Sequence, residues 1–563
     1  MLLSLSVACT SPPIGTQTPA IGTASPEQVE PTDGFSGGTE ADSVYDPAVM
    51  HELVIQLDDA DWAELRNQSR SYWDLFGEGC MEGPFESPYS YYEGSASYDG
   101  QELGTVGVRK KGLLGSVIPD RPSLKLKLDE YIDGQQFLGL DKLVFNNGRQ
   151  DESRVRTCLA HHWFNSAGLV APRCALAHVV VNGEDLGVYA STENIDENLV
   201  GRQLGEGPTG LYEGTLSDFR DGWTATFEYE TDESTGSELA AVTKALGADD
   251  DALLETLDTV IDLDGYFRFW AAEIIAGHWD GYNGNTNNFY AYSLPSDPRL
   301  HFIASGPDSA FDSAEPFGQG QPAWITTTSA LANRLALHDD GRARLEAELS
   351  RLLDDAWQVD QRLVEVDAYT ELVQPYDSRE QRLALADTRE VLEAKAGAVR
   401  DQMGGPVDIT DLRGDFCFVT MGVASVEFST TWDTYPSADV YTAGEASAYY
   451  TWDTAEYLPI QNGVTAGVAE DGRYLWLTIS ALSDTVYVAP YVVFNPELLA
   501  DAAELLIDGH DAEGALLYLD TATMSDWTTA GYLSGTLSFD AASDAADGKI
   551  TGLLLADIVT NGV

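Results

Sequence analysis

Positive charge is scarce in this chain of 563 residues: 31 Lys and Arg face 92 Asp and Glu, a formal net charge of -61. So anionic a protein is repelled by nucleic acid and by anionic lipid, which excludes both as docking surfaces. Cysteine is nearly as rare, with five residues and no zinc-type spacing, so a metal-thiolate centre is excluded. No segment reaches the roughly 18 consecutive apolar residues that would span a bilayer. Disorder does not follow from the acidity, because the acids are interleaved with Leu, Val, Tyr and Trp and hydrophobic residues make up 44% of the chain. The composition is that of folded domains with a solvated acidic surface.

The lysines that remain are unevenly placed. Of eight, five (Lys110, Lys111, Lys125, Lys127 and Lys142) fall in one short window. A basic pocket in an anionic background suggests an anionic ligand held at close range, against the plainer reading of a strand face with solvated lysines.

Residues 1–9, an apolar stub ending at Ala8-Cys9, read as the remnant of a lipoprotein signal, and the Pro/Thr/Ser/Gly-rich residues 10–44 as a flexible tether. The expectation is an exported protein, lipid-anchored through Cys9 to the cell envelope on its outer surface or in the periplasm. Export would permit disulfides among Cys80, Cys158, Cys174 and Cys417, in any of three pairings.

From 45 to 403 strand and helix patterns mix. "HELVIQLDDADWAELRNQ" reads as a strand followed by a helix capped by Asp59 or Asp61. An Asn-Gly turn in "ALAHVVVNGEDLGVYAST" marks a hairpin. Gly404-Gly405-Pro406 ends the helical pattern. Short strands over 410–563 then predict an antiparallel β-sandwich-like accessory domain, a binding or spacer module. The fold class is therefore α+β.

One loop could carry chemistry: "GHWDGYNGNTNNFYAYS", between an apolar helix and a strand. Asp280 and Asn285 are five apart in it, and Asp308 follows the next strand in "GPDSAFD". Upstream lie the lysine strand and Glu193. This order has the logic of phosphoryl transfer: a carboxylate for the attacking hydroxyl, an amide and a second carboxylate for Mg²⁺, and a lysine paired with a glutamate for the nucleotide. Oxygen-rich ligands suit a hard cation. In "SLKLKLD" the leucines face one way and Ser123, Lys125 and Lys127 the other; Lys111 is a third candidate for the phosphates. The alternatives are an Asx-rich turn bonded to its own backbone and a calcium loop, since Asp280, Asn283 and Asn285 alternate like the start of an EF-hand, although its terminal glutamate is missing.

Between about Tyr98 and Phe311, with looser similarity to about Met403, the motifs "VGVRKKG", "SLKLKLDEY", "FLGLDKLVFNN", "SAGLVAPRCALAHVVVNGEDLGVYASTENID", "GLYEG", "HWDGYNGNTNNFYAYS" and "FIASGPDSAF" follow in order. In these the chain resembles the spore-coat protein H (CotH) kinase family, atypical secreted or surface protein kinases with a divergent kinase-like fold. The resemblance implies Asp280 as the catalytic Asp, Asp308 as the metal-binding Asp, Asn285 as a metal or phosphate ligand, and Lys125 or Lys127, with Glu193, holding ATP. It further implies Mg²⁺ or Mn²⁺ and a protein phosphoacceptor, modified on Ser or Thr, at the cell surface or outside the cell. The family commonly shows Trp-Asp-x-Asp before the Phe. Here the first of those carboxylates is replaced by Gly306, which implies a weakened or inactive kinase unless Asp312 substitutes. Family members described as adhesins keep a second reading open, a non-catalytic surface binding protein. A third is a calcium-stabilised structural lipoprotein.

Overall fold

The computed structural model describes residues 39–560 apart from 78, 86, 114–117, 314–326, 377, 406–411, 433–443, 453–454, 458–460, 469–474, 483–485, 509–510, 521–527 and 546. Cys9 and the tether as far as 38 lie outside the described residues. Thr39–Tyr45, expected up to residue 44 to belong to the tether, is a short 3₁₀ helix. Its Ala41, Val44 and Tyr45 are buried, and the Tyr98 hydroxyl donates to the Val44 carbonyl at 2.9 Å. Apolar side chains therefore order the end of a segment whose composition reads as linker.

Seven strands close a barrel: β1 (Met50–Leu57), β2 (Tyr92–Tyr98), β3 (Gln101–Lys111), β4 (Ser123–Lys127), β5 (Lys142–Asn146), β6 (Cys174–Val181) and β7 (Glu184–Thr192). Their order is β1-β2-β3-β4-β5-β7-β6, with β1 and β6 parallel. The period of two fills the interior with Leu53, Ile55, Val106, Val108, Leu124, Leu126 and Phe145. The opposite face of β3 and β4 thereby presents Arg109, Lys111, Lys125 and Lys127 outward. Asn182 and Gly183 turn β6 into β7 with φ of 51° and 80°, the left-handed pair an Asn-Gly hairpin needs. After β1, the Asp58 side chain accepts from the Ala60 N–H at 2.9 Å, so the cap of the helix Asp59–Asn67 is Asp58 rather than Asp59 or Asp61.

A second antiparallel sheet has the order β11-β10-β8-β9, from β8 (Gly210–Gly214), β9 (Glu228–Tyr229), β10 (Phe289–Ser293) and β11 (His301–Ala304). A Cβ at Gly214 would stand 2.1 Å from the Phe289 ring, so only glycine allows these strands to pair. Between barrel and sheet lies the main core. Cys174, Leu176, Val188 and Ala190 from the barrel's outer face meet the helices Arg156–Ser166 and Leu263–Ala276 there. The second of these helices is buried nearly all round, and the Trp163 indole donates to its Ala272 carbonyl at 2.9 Å. A helix so enclosed is a rigid mount for the loop that follows. Further helices, through Arg379–Gln402, cover its other side. No described helix is long and apolar enough to cross a membrane.

Beyond these, β12 (Val419–Thr431), β13 (Glu445–Trp452), β14 (Ala455–Tyr457), β15 (Gln461–Val468), β16 (Leu475–Leu482), β17 (Val486–Phe494), β18 (Glu504–Ile507), β19 (Ala512–Asp520), β20 (Thr528–Ala542) and β21 (Lys549–Thr560) form one sheet. Its order is β14-β13-β12-β21-β20-β18-β19-β17-β16-β15. It is mostly antiparallel, as expected, but continuous where a sandwich would have two sheets. It rolls until β15 returns to β12, where the Thr430 hydroxyl donates to the Val464 carbonyl at 2.9 Å and Trp432 bridges Ala466. The roll encloses Val426, Phe428, Ile479, Leu537 and Leu554.

Two disulfides form, Cys80–Cys417 and Cys158–Cys174. The first ties the segment before the rolled sheet to the excursion between β1 and β2.

Candidate functional site

The helix Leu263–Ala276 ends at Gly277, whose φ of 69° is the left-handed C-cap that lets the chain leave the helix. The next eleven residues lead to β10 through a single short turn, Tyr282–Asn285. Three of the loop's four asparagines wrap one carboxylate. Asp280 Oδ1 accepts from Asn285 Nδ2 at 2.5 Å and from Asn287 Nδ2 at 3.3 Å, and Oδ2 accepts from Asn288 Nδ2 at 2.8 Å. The polar crowding is thus aimed at one side chain, and not only at the loop's own backbone. Burial raises the Asp280 pKa, while the three amides and the Arg413 guanidinium oppose the rise.

The fourth asparagine points the other way. Asn283 Oδ1 accepts from the Tyr266 hydroxyl at 2.5 Å, and its Nδ2 donates to Glu273 at 2.5 Å, both on the buried helix. With both ends of its amide committed to the core, Asn283 does not join Asp280 around a cation as an EF-hand-like loop would require. Glu273 is itself buried, and burial pushes its pKa up to about 8. The folded state therefore keeps a proton that the unfolded chain loses above about pH 4.5, so this residue costs stability as pH rises from there to 8. Glu273→Gln mimics the protonated form. It is expected to raise Tm at pH 7–8, by the equivalent of roughly 3–4 kcal/mol, and to change it little at pH 4.5, as thermal melts across that range would show.

Asp308 follows β11 and lies in the field of Asp280. Burial first, then the charges of Asp280 and Asp151, push its pKa up to about 7, with Lys111 pulling the other way. Asp151 is wholly buried; its carboxylate accepts from the Ser153 hydroxyl at 2.5 Å and the Arg156 N–H at 2.8 Å. Nothing in its local sequence, "GRQDES", marks it out.

Of the three candidate lysines, Lys111 is the one coupled to Asp308. Its Nζ donates to Asn146 Oδ1 at 2.7 Å. Burial, and Lys125 beside it, lower its pKa to about 8, while Glu213 and Asp308 raise it. Lys125 shares that face but answers to Glu213 and Glu230. Lys127 pairs with Glu130 at 2.9 Å. The five-lysine pocket therefore shrinks to two. Lys110 turns away and donates to the Arg66 and Gln68 carbonyls at 2.8 and 2.6 Å, capping the helix Asp59–Asn67. Lys142 is bound to Asp141 and Asp196 at 3.2 and 3.7 Å.

Glu193 is not the partner of a lysine. Its carboxylate is gripped by Arg173 at 2.8 Å and Arg202 at 2.7 Å. Burial would raise its pKa, but those two guanidiniums hold it low. Two planar forks outcompete an ammonium for one buried carboxylate. The acidic group facing the lysines is on β8, β9 and the residue after β9 instead, where carboxylate oxygens of Glu213, Glu228 and Glu230 lie within 4.8 Å of one another. Glu213 is in "GLYEG", and cross-strand pairing of Glu213 with Glu228 is what assembles the group.

Gly306 has φ of +54°, and a Cβ there would stand 2.7 Å from the Asn288 amide oxygen. A side chain at 306 would displace one of the three amides that hold Asp280, so this chain accommodates its Asn-rich loop at the cost of the first carboxylate in the family pattern. Asp312 does not replace it, because it is paired with Arg156. Arg156 also reaches Asp387 at 3.0 Å and Thr388 at 2.8 Å. Nor is Asn285 free for a metal: its Oδ1 accepts from the Arg413 guanidinium while its Nδ2 serves Asp280.

The donor set still fits a hard divalent cation. It offers oxygens only, and Asp280 and Asp308 each penalise the other's charge, which a cation would relieve. Asp308 would hold it with Asp280 close by.

The sequence matches the CotH kinase protein family over residues 108–393, half of the chain. Inner spore coat protein H of Bacillus subtilis (strain 168) is 27% identical over 166 residues, which is 26% of this chain and 45% of that protein. The alignment thus spans less than half of that relative. Among solved structures, the Helicobacter pylori proinflammatory kinase CtkA aligns over 57% of this chain and 94% of its own, at 9% identity and a TM-score of 0.25. The Shewanella oneidensis MR-1 toxin–antitoxin complex of HipA, HipB and operator DNA aligns over 53% and 68%, at 13% identity and 0.28. Both overlays are loose. The ordered motifs and the family match lead to one assignment: the chain belongs to the CotH kinase protein family.

Proposed function

We propose that the protein is an atypical kinase that transfers the γ-phosphate of ATP to a Ser or Thr hydroxyl of a protein outside the cytosol. The observation that carries this reading is that buried Asp308 lies in the fields of both Asp280 and Lys111, residues from three distant segments of the chain. Lys111 offers an ammonium to the nucleotide phosphates. Mg²⁺ or Mn²⁺ held by Asp308 would supply positive charge to the phosphate oxygens. Asp280 has about four lone-pair directions and spends three on the asparagines, leaving one for the acceptor hydroxyl. As that oxygen bonds to phosphorus and the bond to ADP breaks, the hydroxyl proton passes to Asp280. Export and a lipid on Cys9 are part of the proposal. Two disulfides favour an oxidising compartment, and the charge of -61 disfavours nucleic acid as a partner.

The competing reading, a surface binding protein on a retired kinase site, draws on Gly306 and on the commitment of Asn285 to Arg413. Thermal unfolding separates the two. Mg-ATP at a hundredfold excess over Kd is expected to stabilise the wild type by about 2.7 kcal/mol, and Asp308→Ala is expected to lose that shift. No shift in the wild type would favour the binding protein, and a shift with Ca²⁺ alone would favour the structural lipoprotein.

A further inference from the structure

The segment that joins the helical part to the rolled sheet does more than connect them. Arg413 N–H donates to the Thr328 carbonyl at 3.1 Å, and its guanidinium donates to the Asn285 carbonyl at 2.9 Å and to the Asn285 side-chain oxygen. Three residues on, Phe416 is fully buried against Phe76, Phe85 and Trp223. Cys417 is bonded to Cys80. Phe418 N–H donates to the Phe76 carbonyl at 2.5 Å, with its ring against Trp73. The strap is therefore fastened at both ends, to the loop after the buried helix and to the excursion between β1 and β2.

We propose that Arg413 is a positioning residue of the catalytic loop, delivered by this strap, so that the active centre is complete only with the segment that precedes the rolled sheet. The inference rests on the kinase reading above. An Asn side chain has an acceptor end and a donor end. With a guanidinium on the oxygen of Asn285, its NH₂ must face Asp280. Without that guanidinium the amide is free to flip and set its oxygen against the carboxylate, undoing one of the three bonds that orient Asp280. The cation also stands in the field of Asp280, where it offsets negative charge that the loop itself does not balance. Arg220, the other guanidinium nearby, is committed to Asp218 at 2.7 Å and lies 3.9 Å over Trp223.

The test uses the full chain, with Arg413→Ala and Arg413→Lys beside the wild type. For Arg413→Ala, kcat is expected to fall about 100-fold, the penalty for a misplaced catalytic group, with KM for ATP nearly unchanged. Low-millimolar guanidinium chloride should restore part of the lost turnover, which a general folding defect would not allow. Arg413→Lys should fall between, because one ammonium cannot reproduce the fork. Hydrogen exchange over residues 280–288 should quicken in the Ala variant whether or not the wild type transfers phosphate. A wild type that neither binds nor uses ATP, together with this quickening in Arg413→Ala, would sink the kinase reading and leave the positioning role standing. Turnover that rises on removing Arg413 would make the strap a plug and overturn the proposal. So would unchanged exchange, or lost turnover that guanidinium does not restore.

Discussion

Asp280→Asn is expected to lower phosphoryl transfer about 1,000-fold, within the range for removing a general base, while Mg-ATP still raises the melting temperature. Binding survives because the residues assigned to the nucleotide and the cation, Lys111 and Asp308, are untouched. Transfer fails because the variant has no carboxylate to take the proton. The new amide also meets three NH₂ groups that all need an acceptor, so at least one donor faces a donor. A single-turnover assay separates binding from chemistry here. Wild-type turnover in this variant would remove Asp280 as the base.

Removing the Cys80–Cys417 bond, by Cys80→Ser or with reductant, is expected to be the most destabilising change away from the loop. The two cysteines are 337 residues apart, and in the chain-entropy account a bridge closing so long a loop is worth about 6 kcal/mol. Cys158–Cys174, with a separation of 16, is worth about 3 kcal/mol on the same account. Chemical denaturation of Cys80→Ser beside Cys158→Ser should therefore show the larger loss in the first. The strap carrying Arg413 is fastened by that bond, so Cys80→Ser should also lower turnover before global unfolding begins. An unchanged denaturation midpoint in Cys80→Ser would contradict this account of the strap.

Local pattern made part of this architecture legible in the sequence. The alternation in "SLKLKLD" placed the leucines inside and the lysines outside because a strand's period of two is a property of the backbone. The Asn-Gly hairpin and the apolar helix before the Asn-rich loop were legible for the same reason. What was not legible depends on choices among distant partners. Glu193 had the right place in the order of motifs, but Arg173 and Arg202 claim it, and that competition is decided only in three dimensions. Glu213 and Glu228 become neighbours through strand register, Asp151 through the folding of a loop, and Arg413 meets Asn285 across 128 residues. The cysteine pairing was open among three possibilities until the strap brought Cys417 to Cys80. Continuity of the last ten strands as one rolled sheet depends on β15 returning to β12, which no strand's own pattern records.

The central claim is that Asp280 and Asp308 form a working phosphoryl-transfer site despite Gly306. Its most direct test is transfer of label from γ-labelled ATP by purified residues 39–563, which keep the buried Ala41 and Val44, with Mg²⁺ or Mn²⁺, beside Asp280→Asn and Asp308→Ala. The account predicts label on the protein or on an added protein acceptor, lost in both variants. No label from the wild type, with Mg-ATP leaving its melting temperature unchanged, would contradict it.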